Sequence, residues 1–221
     1  METEAALLDP EVWQIALLSL RVSGAALLLA SVLGIPFGLW MGFRRFFGRR
    51  LVVALLYTGM GLPPVVVGLV TYLLLSRSGP LGWLGWLFTP QAMVLAQLAI
   101  AFPLVAGFTM VAVLDVPASL RPQVMSLGAS RWQATWTVLR EARLGAVVGL
   151  VAGFGAIISE VGAVMIVGGN IAGSTRVLTT GIMLETRQGS FAEALALSLV
   201  LLTLTLAVNV VMLRLQGRAL D

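Results

Sequence analysis

Two charges interrupt the apolar stretches of this 221-residue chain, Arg21 in the first and Glu160 in the fourth. A charge inside a bilayer-length apolar run is costly and defaults to a functional role with a partner. At 1.5 Å per helical residue, Arg21 falls about 13 Å below the outer start of its run and Glu160 about 12 Å below the outer end of its own. The shared depth predicts an intramembrane ion pair. Glu160 is then read as a structural brace rather than as a ligand. A second group of interest is the turn Gly168-Gly169-Asn170-Ile171-Ala172-Gly173-Ser174-Thr175-Arg176. Glycine turns of this kind can hold anions in a nest of backbone N–H groups. The plainer reading is a helix stop with an outward surface. Pro63-Pro64 is a third: paired prolines remove backbone donors and bend a membrane helix, as a gate hinge or as a fixed kink. Pro63, Pro64, Gly168, Gly169 and Asn170 are therefore the kink or gate candidates.

What is missing narrows the chemistry further. The sequence has no cysteine and no histidine, which removes disulfides, Cys nucleophiles, His acid–base catalysis and the usual zinc ligands. All fourteen basic residues are arginine. Without a lysine there is no G-x-x-x-x-G-K-[ST] phosphate loop, so work driven by ATP must draw on a partner. No catalytic residue, metal or cofactor is expected.

The elements that position these residues are membrane spans. The chain is 59% hydrophobic and 11% charged, where soluble domains carry about 25% charged residues. It reads as an all-α integral membrane protein with five spans: Val12 to Met41, Leu51 to Leu75, Gln91 to Val113, Gly145 to Gly168 and Phe191 to Leu213. Asp9-Pro10-Glu11 is a helix start, with a capping acid and a proline in the first turn. Gly34, Gly38 and Gly42 make one smooth helix face, as do Gly145, Gly149 and Gly153, suited to close helix packing. Arg77 to Thr89 is turn-rich and tryptophan-rich and reads as an interfacial or re-entrant loop. Val177 to Gln188 reads as a short amphipathic helix.

The longest interval without a span is Leu114 to Arg143, with four arginines against two acids. Its centre, Ser126-Leu127-Gly128-Ala129-Ser130-Arg131-Trp132, reads as helix, glycine break, helix, with Trp132, Trp136 and Leu139 on one apolar face of the second helix. Arginine counts set the topology. With the N-terminus outside, ten arginines fall inside and three outside, with Arg21 in the first span, a strong positive-inside bias. The Leu114–Arg143 loop and the C-terminus are then cytoplasmic. The net charge of +4 expresses this topology and not an affinity for nucleic acid.

These residues resemble the permease subunits of ABC importers, and among them the molybdate/tungstate group, the tungstate type most of all. Leu62 to Gly68 is similar to the kinked second helix of that family, and Phe88 to Met93 with Gln97 to its third. Ser126 to Arg131 looks like the core of its "EAA" loop. Ser159-Glu160-Val161-Gly162-Ala163 and Gly168 to Arg176 resemble the fourth helix and its outer turn. The resemblance covers nearly the whole chain, but the E-A-A positions hold Pro122-Gln123-Val124 and the later Leu-Pro is Leu139-Arg140, so Pro122 is expected to break or re-angle the first loop helix.

The resemblance implies a single transmembrane domain over residues 1–221 with the type I importer fold, working as a homodimer in the cell membrane. Two cytoplasmic ATPase subunits would dock on the 114–143 loop, and an extracytoplasmic binding protein would deliver an oxyanion. Tungstate is the first expectation, and molybdate or another tetrahedral oxyanion the second. The bland reading of the loop is an interfacial helix with its tryptophans among the lipid headgroups. A non-transporting scaffold or an intramembrane enzyme are the remote rivals; the enzyme would want a second acidic or nucleophilic partner for Glu160.

Overall fold

Asp9 starts the first helix as the sequence predicts, its carboxylate accepting the Glu11 N–H at 2.8 Å. That helix, α1 (Pro10–Phe43), runs 34 residues through Pro36 without a break. Its length of about 51 Å exceeds the ~30 Å hydrocarbon thickness, so it tilts or projects beyond the bilayer. The computed structural model describes residue 7 and residues 9–216, and among these there are helices and turns but no strand.

The glycine faces explain the packing. Gly34, Gly38 and Gly42 of α1 lie against Val105, Ala106, Thr109, Met110 and Val113 of α4 (Pro90–Asp115). A Cβ on Gly38 would stand 2.5 Å from the Ala106 carbonyl oxygen, and one on Gly42 2.5 Å from Val113 Cγ1. Both registers rise together, so α1 and α4 are parallel. Gly145, Gly149 and Gly153 of α7 (Arg143–Ile158) meet Ala112, then Phe108 and Val105, then Val105 and Ala101. That register falls, so α7 runs antiparallel to α4. Val105 is touched from both sides and is fully buried. In their most apolar windows α4 is 56% buried against 33% for α1 and 17% for α10 (Phe191–Gln216), which makes α4 the central helix.

Among the described residues three helices, α1, α4 and α10, are individually long and apolar enough to cross a membrane, and two bent pairs raise the number to five if each pair counts as one span. The first pair is α2 (Arg49–Met60) and α3 (Pro64–Leu75), turned by 106° across Gly61-Leu62-Pro63. The prolines predicted a kink, and the structure makes it sharper than a right angle. The second pair is α6 (Arg131–Glu141) and α7, turned by 61°. Between them, α5 (Leu120–Ser126) follows the end of α4.

The fourth run corrects the sequence reading. Gly145 to Gly168 is not one helix: α7 stops at Ile158, and α8 (Gly162–Gly168) starts afresh after Ser159-Glu160-Val161. The Ser159 hydroxyl bonds back to the Gly155 carbonyl at 2.7 Å, and the Glu160 carboxylate accepts the Ala163 N–H at 2.8 Å, satisfying a donor that the new helix start exposes. The two short segments beyond the breaks pack on each other, and a Cβ on Gly68 of α3 would lie 2.6 Å from Ala163 Cα of α8. Residues 76–89 form turns with a single 3₁₀ turn, Gly82–Leu84, tied to α8 by the Phe88 N–H donating to the Val167 carbonyl at 2.9 Å. Finally, α9 (Leu178–Gln188) and α10 close against the start of α1, burying Val12, Ile15, Ala16, Leu178, Leu197 and Val200 together.

Candidate functional site

The loop after α4 is ordered by its own sequence. Pro122 sits in the first turn of α5, where no intrahelical donor is required, so the helix forms through Ser126 and the expected break does not occur. Ser126 bonds through its hydroxyl to the Gln123 carbonyl at 2.8 Å. Gly128 then takes φ +92, a left-handed conformation that glycine reaches without a Cβ penalty, and separates the end of α5 from the start of α6. After Ala129, Ser130 opens α6 with a capping box: its hydroxyl accepts the Gln133 N–H at 3.2 Å, and the Gln133 side chain accepts the Ser130 N–H at 2.7 Å.

Two faces of α6 do different things. Ala134 and Val138 are buried, Val138 packing in one cluster with Val113 and Ala142 beside Leu39, Phe43 and Leu120. The tryptophan face read from the sequence does not anchor the helix: Trp132 is 74% exposed and Trp136 47%, with Leu127 at 88% beside the glycine turn. A helix fastened along one apolar edge thus shows a second apolar edge outward.

The parallel run of α1 and α4 brings the two arginine clusters to one end. Arg45, Arg49 and Arg121 line a single cavity of about 470 Å³ with Gly42, Pro117 and Val138. The Arg121 guanidinium stands 5.0 Å from the Phe43 ring centroid, a cation–π distance. Arg49 donates twice to the Met41 carbonyl, at 3.2 and 3.1 Å, clamping the end of α1 to the start of α2. Arg131 and Arg140 are exposed on α6, Arg140 standing 5.9 Å from the Trp136 ring centroid.

Arg21 and Glu160 are not brought into an ion pair. Glu160, 8% exposed, spends its carboxylate on the local N–H of Ala163, while its own carbonyl accepts the Thr179 hydroxyl at 2.8 Å. The carboxylate caps a helix, so the brace is local and spans three residues. Arg21 is exposed and opens onto two cavities along α1. Equal depth along two helices does not fix the side on which each charge faces.

The outer turn satisfies itself. Gly169 (φ +73) caps α8, its N–H donating to the Met165 carbonyl. The N–H groups of Ser174, Thr175 and Arg176 all converge on the Ile171 carbonyl, and the Ile171 N–H goes to the Thr175 hydroxyl at 2.9 Å. That hydroxyl donates in turn to the Gly168 carbonyl at 2.6 Å. These amides are committed within the turn and do not form an open nest. Asn170 (φ +53) holds a buried side-chain oxygen with no partner among the described residues. Pro63 and Pro64 stand at the N-cap and first position of α3.

One contact was not anticipated. Arg176 reaches back to Glu11, Nη1 to Oε1 at 3.4 Å, joining the outer turn to the start of α1 across most of the chain. In the sequence Glu11 reads only as an acid in a first helical turn, and no periodicity links it to Arg176.

Comparison with known proteins gives this arrangement a context. The family described as "Binding-protein-dependent transport system inner membrane component" matches residues 34–220. A probable anion ABC transporter permease of Haloferax volcanii is 46% identical over 92% of this chain and 90% of its own. The tungstate uptake permease TupB of Peptoclostridium acidaminophilum is 42% identical over 94% of this chain and 91% of its own, and the Escherichia coli K12 molybdenum permease ModB 34% over 85% and 86%. A crystal structure of a bacterial ABC transporter that imports the acidic polysaccharide alginate matches with TM-score 0.77 at 21% identity, over 100% of this chain and 84% of that one, a likeness of fold.

Proposed function

The chain belongs to the family of binding-protein-dependent inner-membrane transport components, and from that premise we propose that it is the permease of an importer for a tetrahedral oxyanion, tungstate before molybdate. It is a multi-pass integral membrane protein with the type I ABC importer fold. The cargo assignment follows the similarity to TupB of Peptoclostridium acidaminophilum, which exceeds that to the Escherichia coli ModB in both identity and coverage.

One observation carries the mechanism: α6 is fixed to the ends of α1 and α4 through Val138 and Ala142 while Leu127, Trp132 and Trp136 stay exposed. A helix held rigidly at its base can pass a push to the helices beneath it, which a slack loop cannot. The outward edge then receives a cytoplasmic ATPase subunit, with Ser126 to Trp132 as its seat. Two such chains pair around the path, the N-terminus lies outside, and an extracytoplasmic binding protein feeds the oxyanion in. The arginine bias and the common end of Arg45, Arg49 and Arg121 support that orientation.

Reconstitution tests the reading. Proteoliposomes holding this chain with its ATPase subunit and loaded binding protein are expected to accumulate tungstate in an ATP-dependent manner, with molybdate slower and sulfate slowest. ATP-dependent uptake that excludes all three anions defeats the proposal, and calorimetry of the binding protein with the same anions ranks the cargo independently.

A further inference from the structure

At the end of the molecule opposite the α6 loop, α1 and the outer turn enclose a cavity of about 530 Å³ lined by Glu11, Gln14, Arg21, Gly173, Ser174 and Arg176. Among the described residues, two guanidinium groups and one carboxylate line it. Arg176 is the more enclosed partner of its ion pair, its side chain 18% exposed against 57% for Glu11. Their contact is a single one at 3.4 Å, long for a charge-assisted hydrogen bond. Among the described residues the buried Arg176 Nε–H has no partner, so the guanidinium is under-satisfied there even with Glu11 in place. Arg21 has no carboxylate within 4.0 Å among the described residues. Neighbouring amides of the turn are taken up internally, which leaves side chains as the groups that can meet a ligand.

Guanidinium forks match tetrahedral oxyanions, and a half-solvated carboxylate beside one is an internal competitor for the same donors. We propose that this cavity is an oxyanion vestibule: the incoming anion displaces the Glu11 carboxylate from Arg176, and Arg21 is the next cation along the same cavity. Glu11 and Arg21 stand about 15 Å apart along α1, so the two arginines act as successive stations and not as one clamp. Weak holding suits a transit site, because an anion bound tightly would not leave. The site rests on the importer reading for its direction of use, though its chemistry does not depend on it.

The test is tungstate binding to the full chain in nanodiscs, measured by equilibrium dialysis, with sulfate as competitor. Glu11→Gln removes the competitor and is expected to tighten binding several-fold, a gain that misfolding cannot mimic. Arg176→Gln is expected to weaken it about tenfold or more, on the scale of a lost charge-assisted contact, with Arg176→Lys between the two. Arg21→Gln should weaken it less. Anion affinity within twofold of the parent in both Glu11→Gln and Arg176→Gln overturns the proposal. So does a change confined to affinity for the anion-free binding protein, which makes the cavity a docking surface. ATP-driven uptake that persists with Glu11→Gln neutral in both assays sinks the vestibule and leaves the importer standing. Absence of uptake with the binding shifts intact does the reverse.

Discussion

Two apolar runs are broken, and they are broken by opposite means. Between α2 and α3 the chain turns 106° at Gly61-Leu62-Pro63, where Pro63 and Pro64 bring no backbone donors and nothing beyond the backbone is needed to close the turn. Between α7 and α8 every residue can continue a helix. The break is held by side chains: Glu160 onto the Ala163 N–H, Ser159 onto Gly155, and Thr179 onto the Glu160 carbonyl. The first break is built into the backbone's covalent structure, while the second is a network that single substitutions can dissolve. The second segments of the two runs meet at Gly68 and Ala163, so each break presents the surface the other packs on.

That contrast can be tested in order of expected size. Gly68→Leu forces a side chain into a gap where even a Cβ comes within 2.6 Å of Ala163 Cα, and should cost about 3 kcal/mol in detergent unfolding. A smaller loss than that of any cap variant would mean the two segments are free to separate. Glu160→Ala leaves the start of α8 without its acceptor and should cost about 1–2 kcal/mol. Glu160→Gln keeps an acceptor oxygen and should restore more than half of that, which also separates a cap from an ion pair: a salt bridge would not tolerate the amide. Thr179→Val, losing the 2.8 Å bond to the Glu160 carbonyl, should cost about 1 kcal/mol. Smallest is Pro64→Ala, about 0.5 kcal/mol through unfolded-state freedom alone. If it equals Glu160→Ala, the distinction between a covalent and a networked break collapses.

The same distinction explains what the sequence disclosed. Features written in residue type at fixed spacing were legible: the Gly34-Gly38-Gly42 and Gly145-Gly149-Gly153 faces, the Asp9-Pro10 start, the Gly128 break and the bend at Pro63-Pro64. Features that depend on a partner far along the chain were not. Arg176 finds Glu11 because α1 and the outer turn share an end of the molecule, which follows from the packing of α1, α9 and α10 and from no local pattern. Glu160 misled in the other direction. A buried acid in a long apolar run suggests a distant cation, yet its partner lies three residues away, and that partner exists only because the helix stops there. On α6 the tryptophan edge read from the period is turned outward, while the edge that holds the helix, Ala134 and Val138, carries only small or branched residues and did not stand out in the sequence.

The glycine face of α1 has a consequence for how the protein is made. Its partner surface on α4 begins beyond residue 90 and ends at Asp115, so the ribosome must deliver α2, α3 and the tryptophan-rich turns before the first seam can close. Until then Gly34, Gly38 and Gly42 face lipid or the insertion machinery as a bare groove. The α4–α7 seam can close once α7 follows, but the contact of Gly68 with Ala163 and the packing of α9 and α10 on the start of α1 are longer-range still and must wait for the C-terminal helices. A chain truncated before α4 therefore carries an open seam with nothing to fill it, and is expected to be a substrate for membrane quality control rather than a stable fragment.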